Sequence, residues 1–369
     1  MFGAERHLAL LPALANGRAH AWPVPFAAGI DALLARRGER VVMLASGDPF
    51  WFGAGSVVAS ALTPGEWVAH PAPSTFALAA ARLGWRLEDT ACLGLHAAPL
   101  ARLRPHLAPG RNAIVLVRDG AAVQALAAYL VRIGFGASRL TVLEALGGPR
   151  ERIRVATADA AAVAVDAIAH PVAVGIAAAG DGPAMPCAAG LADGWFDHDG
   201  QISKRPIRAL TLSALAPRPG ELLWDIGAGS GSIGIEWLLA HPATRVLAFE
   251  RDPVRAARAR ANAAALGVDR LDVIEGAAPA TLVGQPQPQA VFVGGGLSED
   301  LLDALAARCA TGTRIVANAV TLESDALLTR WHAARGGELL RIDLAQAVPI
   351  GTRRGWRASY PVVQWSATL

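Results

Sequence analysis

The chain has 369 residues, of which 53% are hydrophobic, and carries a net charge of +3. This length predicts two domains, and the apolar content suffices for two buried cores. No apolar run approaches the roughly 20 residues needed to span a bilayer, and the first residues lack the anatomy of a signal peptide, so we expect a cytoplasmic protein.

The cysteines and basic residues exclude further classes of protein. Cys92, Cys187 and Cys309 are odd in number and far apart, so neither a disulfide framework nor a metal site is expected. Lys204 is the only lysine among 34 basic residues, and the arginines are dispersed. A nucleic-acid-binding module requires a basic stripe with interleaved aromatic residues. We therefore expect neither a nucleic-acid nor a membrane partner. Arginine binds carboxylates bidentately, which favours a polycarboxylate ligand, although gene base composition competes as the explanation.

The first half of the chain alternates apolar runs with alanine-rich helical stretches, which predicts an α/β domain with some parallel strand pairing. The segment Pro73-Ser74-Thr75 places a capping hydroxyl before a helix predicted to begin near Phe76, and a second helix is predicted over residues 121–133. The predicted strands are residues 40–45, 112–117, 140–143 and 172–176.

Residues 180–200 are rich in glycine, proline and aspartate, which predicts the end of one domain and a linker. We place the domains at residues 1–197 and 198–369. A helix is predicted over 205–215, after which a new series of strands and helices begins at Leu222.

The most informative segment of the chain is Leu222 to Gly231. An apolar run ends in Asp225 and is followed by glycines at 227, 229 and 231, by a predicted helix over 232–239 and by a predicted strand over 245–250 that ends in Glu250. This order of elements is that of a nucleotide-cofactor pocket in a doubly wound sheet. Further strands are predicted over residues 290–293, 314–317, 339–344 and 360–365.

Two cofactors fit this order of elements. Gly229 to Gly234 satisfies the G-x-G-x-x-G pattern of dinucleotide-binding proteins, which supports an oxidoreductase or a ligand-sensing module. An acid before the glycines, Asp225, favours S-adenosyl-L-methionine, because it can hold the turn or meet the positively charged end of that cofactor. In both interpretations the spacing of Glu250 from the glycines along the chain places it at the ribose of the cofactor. If the cofactor is S-adenosyl-L-methionine, no phosphate has to be bound by the helix N-terminus.

Several segments in order resemble one family. In the second half these are residues 202–212, 224–236, 249–253, 292–296 and 317–323, and in the first half residues 3–8, 45–49, 72–75 and 146–153. Together they are similar to the precorrin-6Y C5,15-methyltransferases (decarboxylating), which fuse a tetrapyrrole methylase domain to a Rossmann-like class I methyltransferase domain. The resemblance covers essentially the whole chain.

The resemblance implies a function for each domain. The first domain is implied to methylate C5 of a precorrin, and the second to methylate C15 and to remove the carboxylate of the C12 acetate side chain, so that precorrin-6B becomes precorrin-8X in cobalamin biosynthesis. S-adenosyl-L-methionine is the implied cofactor of both. The residues implied to bind it are Ser203, Gly227, Ala228, Gly229, Ser230, Gly231, Glu250 and Ala278 in the second domain, and Gly47, Asp48, Ser74 and Thr75 in the first.

The sequence departs from the family at three places. Ala277 stands where related enzymes often have an acid that reaches the adenine amine, and Pro206 stands where some have glutamate. Members of the family begin with a strand and a glycine-rich loop ahead of the segment that matches residues 3–8. We therefore expect the first domain to lack its first strand, and we hypothesise that the start of the chain is annotated too late.

Catalysis by methyl transfer requires alignment of two reactants and no catalytic triad. Decarboxylation requires a nearby acid, for which Asp225, Glu236 and Glu323 are candidates, although a turn-holding or capping role competes for each. Asn318 is predicted at the carboxyl edge of the sheet, where ligands bind. For a polyanionic macrocycle the candidate contacts are Lys204, Arg205, Arg208, Arg353 and Arg354. We also expect a homo-oligomer. The alternatives are a methyltransferase acting on RNA or protein and an NAD-binding oxidoreductase.

Overall fold

The computed structural model describes residues 1–12, 18–160 and 168–369. The chain separates into two compact units, the first formed by residues 1–98 and 108–183 and the second by residues 99–107 and 184–369. Each unit has a β-sheet with helices, which confirms the α/β class of both halves. The domain boundary at residues 197 and 198 stays a prediction.

The first unit is built on a five-stranded sheet whose order is β3-β4-β7-β5-β6. Only β3 and β4 pair in parallel, and the other neighbours are antiparallel. The strands are β1 (Phe2–Gly3), β2 (His20–Ala21), β3 (Thr90–Gly94), β4 (Asn112–Val117), β5 (Arg139–Glu144), β6 (Arg152–Thr157) and β7 (Val172–Ala177), and the helices are α1 (Glu5–Leu8), α2 (Phe26–Leu34), α3 (Gly55–Ser60), α4 (Thr75–Leu83) and α5 (Gly120–Arg132).

The predicted cap of helix α4 is confirmed. The Ser74 hydroxyl accepts a hydrogen bond from the Ala77 N–H at 3.1 Å, which satisfies one of the four N–H groups that a helix start leaves free. The helix then buries Phe76, Ala79 and Ala80 in the core of the first unit and ends at Leu83, and Gly84, which follows it, has a positive φ.

The predicted buried strand over residues 40–45 is wrong. Only Met43 in this run forms a bridge, with Phe2, and Val42 is 47% exposed. The apolar pattern is that of a strand, but its neighbour β1 is two residues long and provides two backbone hydrogen bonds, from Phe2 N to Val42 O and from Leu44 N to Phe2 O. A strand of ordinary length needs a longer partner.

The second unit is built on a seven-stranded sheet whose order is β10-β9-β8-β11-β12-β16-β13. The first five strands in this order are parallel, and β16 runs antiparallel between β12 and β13. The strands are β8 (Leu222–Ile226), β9 (Arg245–Glu250), β10 (Leu271–Glu275), β11 (Ala290–Val293), β12 (Arg314–Ala319), β13 (Glu338–Ile342), β14 (Ala345–Ile350), β15 (Arg353–Ala358) and β16 (Val362–Thr368). The helices are α6 (Arg205–Leu215), α7 (Ser232–Ala240), α8 (Pro253–Ala265), α9 (Glu299–Arg308) and α10 (Leu322–Arg335).

Strand β8 shows why the predicted parallel sheet forms. All five of its residues are buried, and Leu223 packs in one hydrophobic cluster while Leu222, Trp224 and Ile226 pack in another. A strand that is covered on both faces is apolar at nearly every position rather than alternating, and in β8 the exception is the buried Asp225. The sequence pattern therefore marked this strand correctly, and it occupies the interior of the sheet.

The sequence analysis did not predict strands β10, β14 and β15 or helices α8, α9 and α10 of the second unit. β10 carries charged residues at two of its five positions, so its apolar pattern is weak. β14 and β15 form a two-stranded hairpin between β13 and β16, and nearly all of their side chains are exposed, including Trp356 at 78%. Without a buried face, such a hairpin has no hydrophobic period to detect.

In the described ranges no helix combines the length and the apolar character needed to cross a membrane.

Candidate functional site

A cavity of about 1220 Å³ lies in the second unit at the carboxyl ends of the parallel strands. The loops after β8, β9, β10, β11 and β12 all contribute to its wall. Strand β8 has β9 on one side and β11 on the other, so the strand order reverses there. Such a switch point is where open α/β sheets bind their ligands. We call this space the large cavity.

The turn after β8 forms one wall of the large cavity and depends on glycine. Gly227, Gly229 and Gly231 have φ values of 70°, 58° and 76°, in the left-handed region that other residues avoid. A side chain at Gly227 would place its Cβ 2.6 Å from the backbone nitrogen of Gly295. The turns after β8 and β11 are therefore in backbone contact, and a bare glycine is required where they meet.

Gly227 is required both for its left-handed backbone and for its close contact with Gly295, and a matched pair of substitutions separates these two effects. Gly284 has a φ of 78° but open space around its Cβ position, so Gly284→Ala incurs only the conformational strain, about 1 kcal/mol. We expect Gly227→Ala to lower the free energy of unfolding by at least twice as much, because the two turns must also move apart. Chemical denaturation of both variants measures the difference. Equal losses would show that Gly227 and Gly295 do not pack closely.

Glu250 ends β9 and faces the large cavity with its carboxylate held by backbone donors. Oε2 accepts a hydrogen bond from the Gly229 N–H at 2.8 Å, and Oε1 accepts one from the Asp252 N–H at 3.0 Å. The residue is 5% exposed and lines the cavity. Each carboxylate oxygen can accept a further hydrogen bond, so Glu250 can receive two vicinal hydroxyls such as those of a ribose.

Asp225 lies beneath the glycine turn rather than in the lining of the large cavity. Its Oδ2 accepts a hydrogen bond from the Gly234 N–H at 3.0 Å, and its Oδ1 has no partner in the described part of the chain. Burial, reinforced by the negative charge of Glu250, raises the pKa of the Asp225 carboxyl from 3.8 to about 7, although the Gly234 N–H acts in the opposite direction.

This pKa predicts a pH dependence of stability. The folded state holds a proton on Asp225 that the unfolded state releases, so the stabilisation is complete below pH 3.8 and is lost as the pH rises through about 7. We expect Asp225→Asn to remove a negative slope of up to about 1.4 kcal/mol per pH unit in that window. Urea unfolding of both proteins at intervals from pH 4 to 8 tests this. Parallel profiles would contradict a raised pKa.

The other predicted cofactor residues of the second unit also surround the large cavity. Ser203 and Ala278 line it, as do Ala228 and Ser230, and the buried Ser230 hydroxyl has no partner in the described residues. An unpartnered polar atom in a cavity wall is costly unless a ligand or water satisfies it. The lining therefore has the polar groups, the glycine turn and the acid that a nucleoside ligand needs.

One predicted substrate contact is wrong. Arg208 is fully buried, and its guanidinium donates hydrogen bonds to the Glu236 carboxylate, to Asp193 at 3.1 Å and to the carbonyl oxygens of Leu191 and Ser203. Glu236 also accepts from the N–H of Gly190 at 2.6 Å and from that of Leu191 at 3.0 Å. This cluster fastens the segment before α6 to α7, so Arg208 and the candidate acid Glu236 are structural.

Of the remaining candidate substrate contacts and acids, some line the large cavity and others do not. Lys204 and Asn318 line it. Arg205 is exposed on α6 and is not part of the lining, and Glu323 is exposed in the first turn of α10, also outside it. Arg353 and Arg354 are exposed on β15, and the residues that follow this strand, Ser359 and Tyr360, reach the cavity wall.

Thr211 and Gln364 were missed by sequence reasoning. Both are buried and both hydrogen-bond the side chain of Asn318, although they come from α6 and β16. Nothing in their spacing connects them, because the three residues meet only when the sheet and α6 are assembled.

The first unit has a cavity of its own, of about 570 Å³, which we call the small cavity. Asp48, Ser74 and Thr75 line it. Asp48 accepts a hydrogen bond from the Phe50 N–H at 2.8 Å, and Gly47 has a φ of 55° and approaches the Pro73 carbonyl so closely that a Cβ would lie 2.9 Å away. The structure thus brings these four predicted residues to one place. Over the described ranges no group of His, Cys, Asp and Glu could hold a metal ion.

Fold and site together define a chain with two α/β units, of which the second is a Rossmann-like methyltransferase unit with a cavity at the switch point of its sheet. Comparison with family models agrees: residues 194–369 match the precorrin methyltransferase domain, and residues 21–162 match the tetrapyrrole (corrin/porphyrin) methylases. A precorrin-6Y C(5,15)-methyltransferase [decarboxylating] from Sinorhizobium sp is 51% identical over 372 residues, which cover 100% of this chain and 89% of the relative. The chain belongs to the family of precorrin-6Y C5,15-methyltransferases (decarboxylating).

Other relatives are consistent with this membership. A protein of the same name from Mycobacterium tuberculosis is 40% identical over 375 residues, covering 100% of this chain and 92% of the relative. The solved C-terminal domain of precorrin-6Y C5,15-methyltransferase from Rhodobacter capsulatus is 53% identical, covers 50% of this chain and 100% of that one, and has a TM-score of 0.49. The two family models and the sequence relatives confirm the methyltransferase interpretation, and the oxidoreductase alternative is set aside.

Proposed function

We propose that the chain methylates a precorrin at C5 and C15 and removes the carboxylate of its C12 acetate side chain, with S-adenosyl-L-methionine as the methyl donor in both units. The reaction converts precorrin-6B to precorrin-8X. The observation that supports this most is the large cavity, where Glu250, backed by two N–H donors, faces a glycine turn at the switch point of the sheet.

The residues of the large cavity fit the donor at both ends. Glu250 receives the ribose hydroxyls, and the turn from Gly227 to Gly231 lies alongside the methionine portion, where Gly227 and Gly229 have no side chain and so leave room for it. Ala278 contacts the adenine, and Ser203 and the unpartnered Ser230 hydroxyl supply further hydrogen bonds. When bound, S-adenosyl-L-methionine supplies an electrophilic methyl group that the protein itself lacks.

The task of the protein is then to hold the macrocycle in line with the donor and to exclude water, which accounts for several orders of magnitude in rate. A precorrin bears many carboxylates, and Lys204 at the cavity wall is placed to pair with one of them. Arg353 and Arg354, exposed on the hairpin next to the cavity, and Arg205 on α6 are the further cationic contacts that we propose.

For the first unit we propose the C5 methylation. Asp48, Ser74 and Thr75 line the small cavity, with Gly47 next to them in the same turn, and aromatic side chains such as Trp51 line it as well. Aromatic and polar groups side by side suit a ligand that has both a flat apolar ring system and charged arms.

The test combines binding and turnover. Calorimetric titration of the pure chain with S-adenosylhomocysteine and, separately, with NAD should show binding of the first only. Incubation with precorrin-6B and the methyl donor should then give a product whose mass has gained two methyl groups and lost one CO₂. Binding of NAD alone would contradict the proposal, and a gain of a single methyl would contradict the part that concerns the first unit.

A further inference from the structure

Asn318 is held in the wall of the large cavity by two buried neighbours. Its Nδ2 donates a hydrogen bond to Thr211 Oγ1 at 2.9 Å, and its Oδ1 accepts one from Gln364 Nε2, also at 2.9 Å. The Gln364 amide donates a second hydrogen bond to Thr211 Oγ1 at 3.1 Å, which closes the triangle. The three side chains come from β12, α6 and β16.

This triangle fixes which way the Asn318 amide faces. Thr211 and Gln364 are 0% and 4% exposed, so water does not compete for their hydrogen bonds. Both hydrogens of the Gln364 amide are used, and a flip of Asn318 alone would set two NH₂ groups against each other. Asn318 retains one N–H and one lone pair, and it is the member of the triangle that lines the cavity.

Apart from Thr211 and Gln364, the cavity wall beside Asn318 is apolar and uncharged. Ile207 and Val362, which line the same cavity, belong to a small buried cluster, and Val320 completes this side of the wall. The cationic lining residues Arg251 and Arg255 follow β9, three strands from β12, which is roughly 14 Å at the usual strand spacing. Lys204 caps α6 two turns before Thr211, roughly 10 Å along the helix axis.

We propose that the free N–H of Asn318 binds the carboxylate of the acetate arm that is lost as CO₂, and that Thr211 and Gln364 are positioning residues for Asn318. This assignment rests on the proposed function. In the step itself the bond between the arm's CH₂ carbon and the carboxylate carbon breaks, CO₂ leaves, and the electron pair enters the conjugated macrocycle. A proton taken up from solvent on the CH₂ carbon then gives the methyl group.

A neutral donor suits this step better than a cation. The negative charge of the carboxylate disappears from its oxygens as CO₂ forms, so a guanidinium bound to it would stabilise the ground state more than the transition state. A neutral amide orients the arm with a weaker hydrogen bond than a charged group would make. The apolar wall around Asn318 further favours the uncharged CO₂ over the carboxylate.

The experiment compares two ligands on four full-length proteins: the wild type, Asn318→Ala, Thr211→Val and Thr211→Ser. The ligands are precorrin-6B, which carries the carboxylate, and precorrin-8X, in which the C12 arm has lost it. We expect Asn318→Ala to weaken the affinity for precorrin-6B about tenfold and Thr211→Val to weaken it less, with the affinity for precorrin-8X unchanged. Thr211→Ser retains the hydroxyl and should behave as the wild type.

Two results would overturn the assignment. If Asn318→Ala weakened the affinity for both ligands equally, Asn318 would support the cavity as a whole. If the affinity for both were unchanged, Asn318 would not contact the acetate arm. The affinity for S-adenosylhomocysteine, whose proposed contacts do not include the triangle, confirms that each variant is folded. Asn318→Ala and Thr211→Ser remain informative if Thr211→Val does not fold. A failure of the proposed function is distinguishable, since the wild type itself would then transfer no methyl group to precorrin-6B.

Discussion

Replacement of Glu250 by alanine is expected to abolish C15 methylation while C5 methylation continues. The carboxylate is the only acidic side chain that the described residues contribute to the lining of the large cavity. Two hydrogen bonds from ribose hydroxyls to a carboxylate contribute about 1.5–3 kcal/mol each. Their loss should weaken the affinity of the second unit for the donor at least about a hundredfold.

The measurement is the mass of the product formed from precorrin-6B by the Glu250→Ala protein. A gain of one methyl group is expected where the wild type adds two. Glu275→Ala is the matched control, because Glu275 ends the neighbouring strand in register with Glu250 yet is exposed and pairs with Arg260 at 2.8 Å. Equal loss of both methylations in the Glu250 variant would contradict two independent donor sites.

Replacement of Arg208 by methionine is expected to destabilise the second unit by about 3–5 kcal/mol, the usual consequence of removing one partner of a buried ion pair. The Glu236 carboxylate would remain buried with only the N–H groups of Gly190 and Leu191 to stabilise its charge. The additional change Glu236→Gln removes that charge and keeps an acceptor for these donors. We therefore expect the double variant to recover part of the lost stability.

Urea denaturation of the three proteins measures this effect, and Arg205→Met provides the control. Arg205 lies in the first turn of the same helix but is exposed, so its replacement should change the free energy of unfolding by no more than about 0.5 kcal/mol. If Arg208→Met were as stable as Arg205→Met but bound the precorrin poorly, Arg208 would be a substrate contact after all.

The parts of the fold that the sequence predicts correctly are those in which a short segment contains its own signal. The segment from β8 to β9 shows this: a fully buried strand is apolar at nearly every position, the turn must be glycine-rich, and the helix after it follows directly. Glu250 could be predicted because its distance along the chain from the turn is set by one helix and one strand. Local geometry determines all of these features.

The features that escaped prediction depend on residues far apart in the chain. Thr211, Asn318 and Gln364 span 153 positions, and their hydrogen bonds exist only after α6, β12 and β16 have packed. Arg208 appeared to be a solvent-exposed cation because its spacing does not reveal Glu236, 28 residues later, as its buried partner. Residues 40–45 have the pattern of a strand, but pairing is decided by the neighbour and not by the pattern.

A crystal structure of the full chain with S-adenosylhomocysteine tests the donor site of the second unit most directly. We expect the ligand to lie in the large cavity with both ribose hydroxyls about 2.5–3.0 Å from the Glu250 carboxylate, the range of O–H···O hydrogen bonds. The result that would contradict this is a saturated crystal in which the cavity holds no ligand, or one in which the ligand lies there without touching Glu250.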